Sequence, residues 1–252
     1  MHNRLDAAVS LLAGISRAMA NELVYSGQVR VNGVTTLKPG IRISESDIVE
    51  YHMPKTVFVS RGGYKLQAAL EGFRIELSGR ICLDVGASTG GFTDCMLYYG
   101  AALVHALDVG TAQLHQKLRA DERVLFVENT NVLSVIAGSL KPLPDFAALD
   151  VSFVSASKVL PHVACLLSEN TAQIVVLVKP QFECGRFGRN KRGVVRDNKL
   201  REAAVKTVVK SGEEAGLCLC GVIESPIKGG DGNSEYLALF KRSTNEEDWN
   251  NH

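Results

Sequence analysis

The residues able to do chemistry in this chain gather where short apolar runs end. Ile81-Cys82-Leu83-Asp84-Val85 carries a carboxylate near its end and passes at once into Gly86-Ala87-Ser88-Thr89-Gly90-Gly91-Phe92. Strand, glycine-rich turn and helix in that order open a nucleotide-sized crevice in an α/β fold, because small residues let a ligand approach the backbone. A dinucleotide fingerprint would put glycine at its third motif position, where this chain has Ser88. An acid just ahead of the turn repels a pyrophosphate and suits a cationic amino-acid group. The turn therefore favours S-adenosylmethionine over NAD, although by itself it reads equally well as a bare strand-to-helix connection.

Four later strand ends carry ionisable residues too: Asp108, Glu128, Asp150 and Lys179. A purely structural sheet has no need of them. Asp108 stands about twenty residues beyond the glycines, where a carboxylate can accept two hydrogen bonds from a ribose diol. Asn129 and Asn131, just after the third strand, can both donate and accept toward an adenine edge, and they serve equally as turn or cap residues. Asp150 and Lys179 close neighbouring strands and should face each other. Such a couple is a plain ion pair or a means of positioning and tuning a general base.

These residues need a sheet to hold them. Strands are predicted at 81–85, 102–108, 123–127, 146–150 and 173–178, and helices at 91–99, 111–119, 132–139 and 156–167. Alternation of this kind makes a doubly wound, Rossmann-like parallel sheet. A basic glycine-rich loop (Arg186, Arg189, Lys191, Arg192) follows the fifth strand and is placed to close over a polyanion. A long helix over 198–215 then leads to two last strands, 218–224 and 234–241.

Ahead of this domain, residues 1–52 form a smaller α+β unit. Leu5, Ala8, Val9, Leu11 and Leu12 make a helical stripe, and Ser16 is a fair cap for a second helix. Val29 to Thr35 alternates around Asn32-Gly33, a strong hairpin signal. Residues 53–59 read as a linker, 60–242 as the large domain and 243–252 as a polar tail.

Composition sets the remaining bounds. The 252 residues are 46% hydrophobic and 22% charged with a net charge of +1, so a basic surface must be local. None of the six cysteines forms a Cys-x-x-Cys pair, which points to reduced thiols in a cytoplasmic protein, and no His/Cys cluster calls for a metal. The sequence shows no signal peptide and no uncharged run approaching the ~18 residues of a membrane helix.

Arg4-Leu5-Asp6, Ser16-Arg17, Gly27-x-Val29-x-Val31-Asn32-Gly33 and Lys38-Pro39-Gly40 together resemble the S4 RNA-binding domain. The resemblance makes Arg4, Arg17 and Arg30 candidate RNA contacts. The motifs Ser60-Arg61-Gly62-Gly63-x-Lys65-Leu66, Asp84-x-Gly86 through Thr93, Asp150-Val151-Ser152-Phe153, Lys179-Pro180-Gln181-Phe182-Glu183 and Gly232-Asn233-x-Glu235 follow it. The whole resembles the TlyA family, S4-bearing rRNA methyltransferases with an FtsJ-like (RrmJ-like) domain. The resemblance covers nearly the whole chain and implies methyl transfer from S-adenosylmethionine to a cytidine ribose 2′-hydroxyl of ribosomal RNA, in the small or both ribosomal subunits. It adds Arg61 to the RNA-facing cations and carries a Lys-Asp-Lys-Glu tetrad onto Lys65, Asp150, Lys179 and Glu235. It also places the cofactor against Asp84, Gly86, Ala87, Ser88, Thr89, Gly90, Gly91, Phe92, Asp108, Asn129, Asn131 and Asp150. Thr111-Ala112-Gln113-Leu114 departs from the Tyr-Gly-Gln-Leu usual in relatives. Within the tetrad, either a neutral Lys179 takes the hydroxyl proton or two charged lysines stabilise a developing alkoxide. The haemolysin label borne by some members, and an RNA-binding module without catalysis, are the alternative readings.

Overall fold

The computed structural model describes residues 3–15, 17–52, 58–169, 172–185, 188, 190, 193–230 and 232–242. The N-terminal unit runs β1 (Asn3–Arg4), α1 (Leu5–Ala13), α2 (Arg17–Tyr25), β2 (Val29–Val31), β3 (Val34–Thr35), β4 (Arg42–Ile43) and β5 (Val49–Tyr51). Asn32 (φ 52°) and Gly33 (φ 78°) make the tight turn between β2 and β3, with Val31 paired to Val34 as the hairpin signal requires. Leu5, Val9, Ala20, Leu23, Val24, Val29 and Ile43 close a core of its own. The expected cap Ser16, residues 53–57 of the linker and the tail 243–252 lie outside the described residues.

The large unit runs α3 (Gly62–Gly72), β6 (Ile81–Val85), α4 (Gly91–Tyr98), β7 (Leu103–Leu107), α5 (Gln116–Arg119), β8 (Val124–Val127), β9 (Phe146–Leu149), α6 (Ala156–Leu166), β10 (Gln173–Val178), α7 (Pro180–Glu183), α8 (Asn198–Glu214), β11 (Leu217–Glu224) and β12 (Tyr236–Arg242). Seven strands form one sheet in the order β11-β12-β10-β9-β6-β7-β8. The strands from β8 to β10 run parallel, whereas β12 lies antiparallel between β10 and β11. The sheet is thus mixed, not wholly parallel. Its middle is apolar on both faces: Val175 packs with Leu66, Leu70, Phe92 and Met96 from α3 and α4, while Ile174 and Val176 pack with Val159, Leu160 and Val163 from α6. Two-sided burial of this sort is what a central strand between two helical layers demands.

Two helices are shorter than the spacing predicts. The helix expected over 111–119 shrinks to α5, because Ala112 adopts φ 55° with its N–H bound to Glu128, and extended His115 starts the helix afresh. Alanine in that left-handed region costs about 1–2 kcal/mol relative to glycine. The helix expected over 132–139 becomes a single 3-10 turn at Val132–Ser134, capped by Asn131 and followed by Gly138 at φ 78°. In both places polar side chains hold the backbone in loops that apolar spacing does not reveal.

Candidate active site

The strand ladders converge on one edge. Leu149 of β9 sits beside Val176 of β10, and Val178 of β10 lies opposite Tyr236 of β12. One residue beyond β9, β10 and before β12 come Asp150, Lys179 and Glu235, so Lys179 and Glu235 stand opposite each other at the end of their ladder. Lys179 Nζ is 2.6 Å from Asp150 Oδ1 and donates to Ser152 Oγ at 2.8 Å. Glu235 Oε2 takes Lys65 Nζ at 2.5 Å. Lys65, Lys179 and Glu235 are all buried, which makes a carboxylate partner for each lysine a necessity.

Lys65 arrives from α3, and glycines let that helix come close. A Cβ on Gly91 would fall 2.3 Å from Ser60 Oγ and 2.9 Å from the Gly63 nitrogen, and one on Gly63 would fall 2.3 Å from the Phe58 ring. Glu235 is wrapped by its own loop: a Cβ on Gly229 would lie 2.4 Å from Glu235 Oε1. Asn233, buried, ties this loop to the preceding one by accepting from Val195 N and donating to Gly193 O. The tetrad expected from resemblance therefore stands as two ion pairs brought side by side by strand register.

A cavity of about 440 Å³ opens beside Asp150, between the ends of β6, β7 and β9. Of the residues expected to hold a cofactor, Gly86, Ser88, Asp108, Asn131 and Asp150 line it. Asp108 holds the turn in shape by accepting from Ser88 N (2.7 Å) and Gly110 N (2.6 Å), and as a carboxylate it retains lone pairs for a diol. The other expected residues do not line it. Ala87 and Phe92 are buried in the core, a Cβ on Gly90 would meet Leu118, Gly91 serves the approach of α3, and Thr89 accepts from His115 N. Asn129 turns toward Thr111 Oγ1, while its neighbour Thr130 lines the cavity.

Asp84 takes a different place from the residues that line the cavity. It lies wholly buried beneath the turn and is not among them. Thr93 Oγ1 donates to its Oδ2 at 2.6 Å, and its Oδ1 has no hydrogen-bond partner. Burial pushes the carboxyl up to about 7, outweighing the bond from Thr93. Between its ordinary value of 3.8 and about 7 the native state keeps a proton that the unfolded chain has released. Stability is therefore greatest below that window, falls as pH rises through it, and levels off above. Asp84→Asn is expected to remove this slope and to stabilise the ligand-free protein above pH 7 on the order of 1–3 kcal/mol. Urea unfolding at pH 5 and pH 8 checks it; parallel pH dependences in the two proteins would refute it.

Among the expected RNA contacts, Arg4 and Arg17 are brought together by Asp6. Arg4 Nη2 lies 2.7 Å and Arg17 Nη2 3.2 Å from this buried carboxylate, whose pKa the Arg4 hydrogen bond leads in pulling down to about 2. Both guanidiniums remain half-exposed. Arg30 stands apart on β2, beside a groove shared with Gln28, Glu50 and His52. Arg61 lies over the Tyr25 ring at 4.5 Å, linking the two units. Arg186, Arg189, Lys191 and Arg192 lie outside the described residues.

Three residues emerge only in three dimensions: Ser152, Phe153 and Glu183. Phe153 is 95% exposed at the mouth of the cavity, in the left-handed region (φ 67°), with its ring 5.8 Å from that of Phe182. Their places in the motifs after β9 and β10 were visible; their contacts were not.

With that geometry, residues 58–242 match the FtsJ-like methyltransferase family, and residues 3–49 match the S4 domain. The chain belongs to the FtsJ-like methyltransferase family. The methyltransferase is similar to the 16S/23S rRNA (cytidine-2'-O)-methyltransferase TlyA of Mycobacterium tuberculosis, 41% identical over 230 residues spanning 91% of this chain and 85% of the relative. It is 34% identical to the 23S rRNA (cytidine-2'-O)-methyltransferase TlyA of Campylobacter jejuni, over 94% of this chain and 98% of that one. A solved structure from Streptococcus thermophilus that carries the name hemolysin superposes with a TM-score of 0.74 at 40% identity, covering 96% of this chain and 89% of its own. Among the described residues of the methyltransferase, no helix is long and apolar enough to cross a membrane.

Proposed function

We propose that the chain binds S-adenosylmethionine in the cavity beside Asp150 and methylates the 2′-hydroxyl of a cytidine ribose in ribosomal RNA. The observation that carries this reading is the pair of lysine–carboxylate bridges, Lys179–Asp150 and Lys65–Glu235, set side by side at the strand ends next to the cavity. Gly86, Ser88, Asp108, Asn131 and Asp150 would hold the cofactor, which when bound supplies an electrophilic methyl group. The chain's own residues supply the rest. Lys65, fixed by Glu235, and Lys179, fixed by Asp150 and Ser152, present directed N–H groups to a ribose hydroxyl and hold its oxygen in line. Positioning of this kind is worth several kcal/mol. The proton lost from the hydroxyl leaves through the Lys179–Asp150 pair to water, which reaches the partly exposed Asp150 carboxylate. Arg4 and Arg17, held side by side by Asp6, contact RNA phosphates and give affinity without reading sequence. A ribosomal substrate puts the enzyme in the cytoplasm.

Transfer of labelled methyl from S-adenosylmethionine to purified 30S and 50S subunits tests the reading. Label in a cytidine ribose of either subunit's RNA supports it. Absence of label from both, alongside lysis of erythrocytes by the purified chain, would replace it with the haemolysin reading.

An exposed, strained phenylalanine beside the reacting groups suits a base drawn out of its stack. Stacking on an aromatic ring is worth about 1–3 kcal/mol per base. Phe153→Ala is accordingly expected to lower kcat/KM for the RNA about five- to a hundredfold, with Phe153→Trp recovering most of it. Steady-state kinetics on the responsive subunit measure this; an unchanged kcat/KM in Phe153→Ala would rule out stacking there.

A further inference from the structure

Asp150, Ser152 and Phe153 belong to one loop, and that loop has to be held at both ends. Its first end is fixed by β9, since Asp150 N donates to Val85 O at 2.9 Å. Its second end runs into α6, whose N-cap residue Ser155 makes no side-chain cap of its own. The cap comes from elsewhere. Glu183, the last residue of α7, accepts Ala156 N on Oε1 at 2.7 Å and the Ser155 hydroxyl on Oε2 at 2.5 Å. Carboxylates at this place satisfy free N–H groups and meet the positive end of the helix.

Glu183 lies one helical turn after Lys179, and the contacts between the two loops follow in order. Lys179 holds Asp150 and Ser152, the Phe182 ring lies against Phe153, and Glu183 holds Ser155 and Ala156. The strained backbone of Phe153 sits between the first and last of these ties. Without the last, the segment from Ser152 to Ser155 is free to relax away from φ 67°, carrying Ser152 off Lys179.

We infer that Glu183 is a positioning residue: its carboxylate clamps the Asp150–Ser155 loop onto the loop of Lys179 and so keeps Asp150, Ser152 and Phe153 in place for the RNA. The inference deepens the methyltransferase reading and rests on it for its catalytic consequence, though not for the clamp itself.

Two readouts separate them. Hydrogen exchange followed by mass spectrometry on the full chain reports the clamp directly. In Glu183→Ala, exchange in peptides covering 150–157 should rise about tenfold or more, while the sheet strands stay protected and Tm falls by no more than about 4 °C. Glu183→Gln keeps an oxygen for Ala156 N and an amide donor for Ser155 Oγ, so its exchange should stay near wild type. Methyl transfer to the responsive subunit reports the consequence. Here kcat should fall about ten- to a hundredfold in Glu183→Ala with the KM for RNA changed less, and Glu183→Gln should regain most of the loss. Unchanged exchange at 150–157 in Glu183→Ala overturns the clamp, and so does a Gln variant as loose as the Ala one. A wild type inactive on every ribosomal substrate would defeat the methyltransferase reading, with the exchange data still deciding the clamp.

Discussion

Lys179→Ala is expected to lower kcat by about a thousandfold or more while leaving affinity for S-adenosylmethionine within a few-fold of wild type. The two effects separate because Lys179 contacts Asp150 and Ser152 and does not line the cavity. Asp150 is left partly exposed, with a side-chain accessibility of 23%, so water can solvate the abandoned carboxylate and the fold should survive. Lys65 would be a poorer probe, because its removal strands Glu235, only 3% exposed, as an unpaired buried charge. Lys179→Arg then divides the two chemical roles. Arginine keeps the positive charge but cannot release its proton to act as a base. Retention of a substantial part of kcat in Lys179→Arg would show that charge and orientation suffice; a loss as deep as in Lys179→Ala would show that the nitrogen must accept a proton. Single-turnover transfer with calorimetric cofactor binding measures both variants, and wild-type kcat in Lys179→Ala would remove Lys179 from the reaction.

How much of this could be read from residues alone depends on the distance over which each feature is determined. The turn at Gly86 was legible because strand, small residues and helix follow one another without a gap. Asp150 and Lys179 were legible as neighbours because parallel strands align their ends. The pairing of Lys65 with Glu235 was not, since it spans 170 residues and depends on β12 entering antiparallel beside β10; only resemblance supplied it. The burial of Asp84 was not legible either: the spacing of its motif says that the carboxylate precedes the turn, not that Thr93 draws it into the core. The shortened helices over 111–119 and 132–139 share one cause. Side chains of His115, Glu128 and Asn131 satisfy backbone groups locally and so outbid helical spacing. Phe153 and Glu183 were visible only as letters in their motifs, because the ties between the two loops exist only after the sheet has formed.

Gly86→Ala should be strongly damaging, and the reason lies in two separate penalties at one atom. Gly86 has φ 87°, which a side chain disfavours by about 1–2 kcal/mol. Its Cβ would also lie 2.5 Å from Asp150 O and 3.1 Å from Asp150 C, both backbone atoms that cannot swing aside. Overpacking against such a wall costs about 1–3 kcal/mol more. Relief requires Asp150 to move, yet its N–H is bonded to Val85 O and its carboxylate to Lys179. A Tm lower by about 5–15 °C is expected, together with loss of both cofactor binding and methyl transfer. Gly232 provides the comparison that isolates the contact: it has the same φ of 87°, and a Cβ there would meet nothing within 4 Å. Gly232→Ala should therefore show the backbone penalty alone, about 2–8 °C in Tm, with the cofactor still bound. Differential scanning calorimetry and cofactor titration of the two variants decide the matter. Equal losses in both would mean that the close approach of β6 to the Asp150 carbonyl does not shape the cavity; a much larger loss at Gly86 would show that the same peptide that seats the cofactor also sets the position of Asp150.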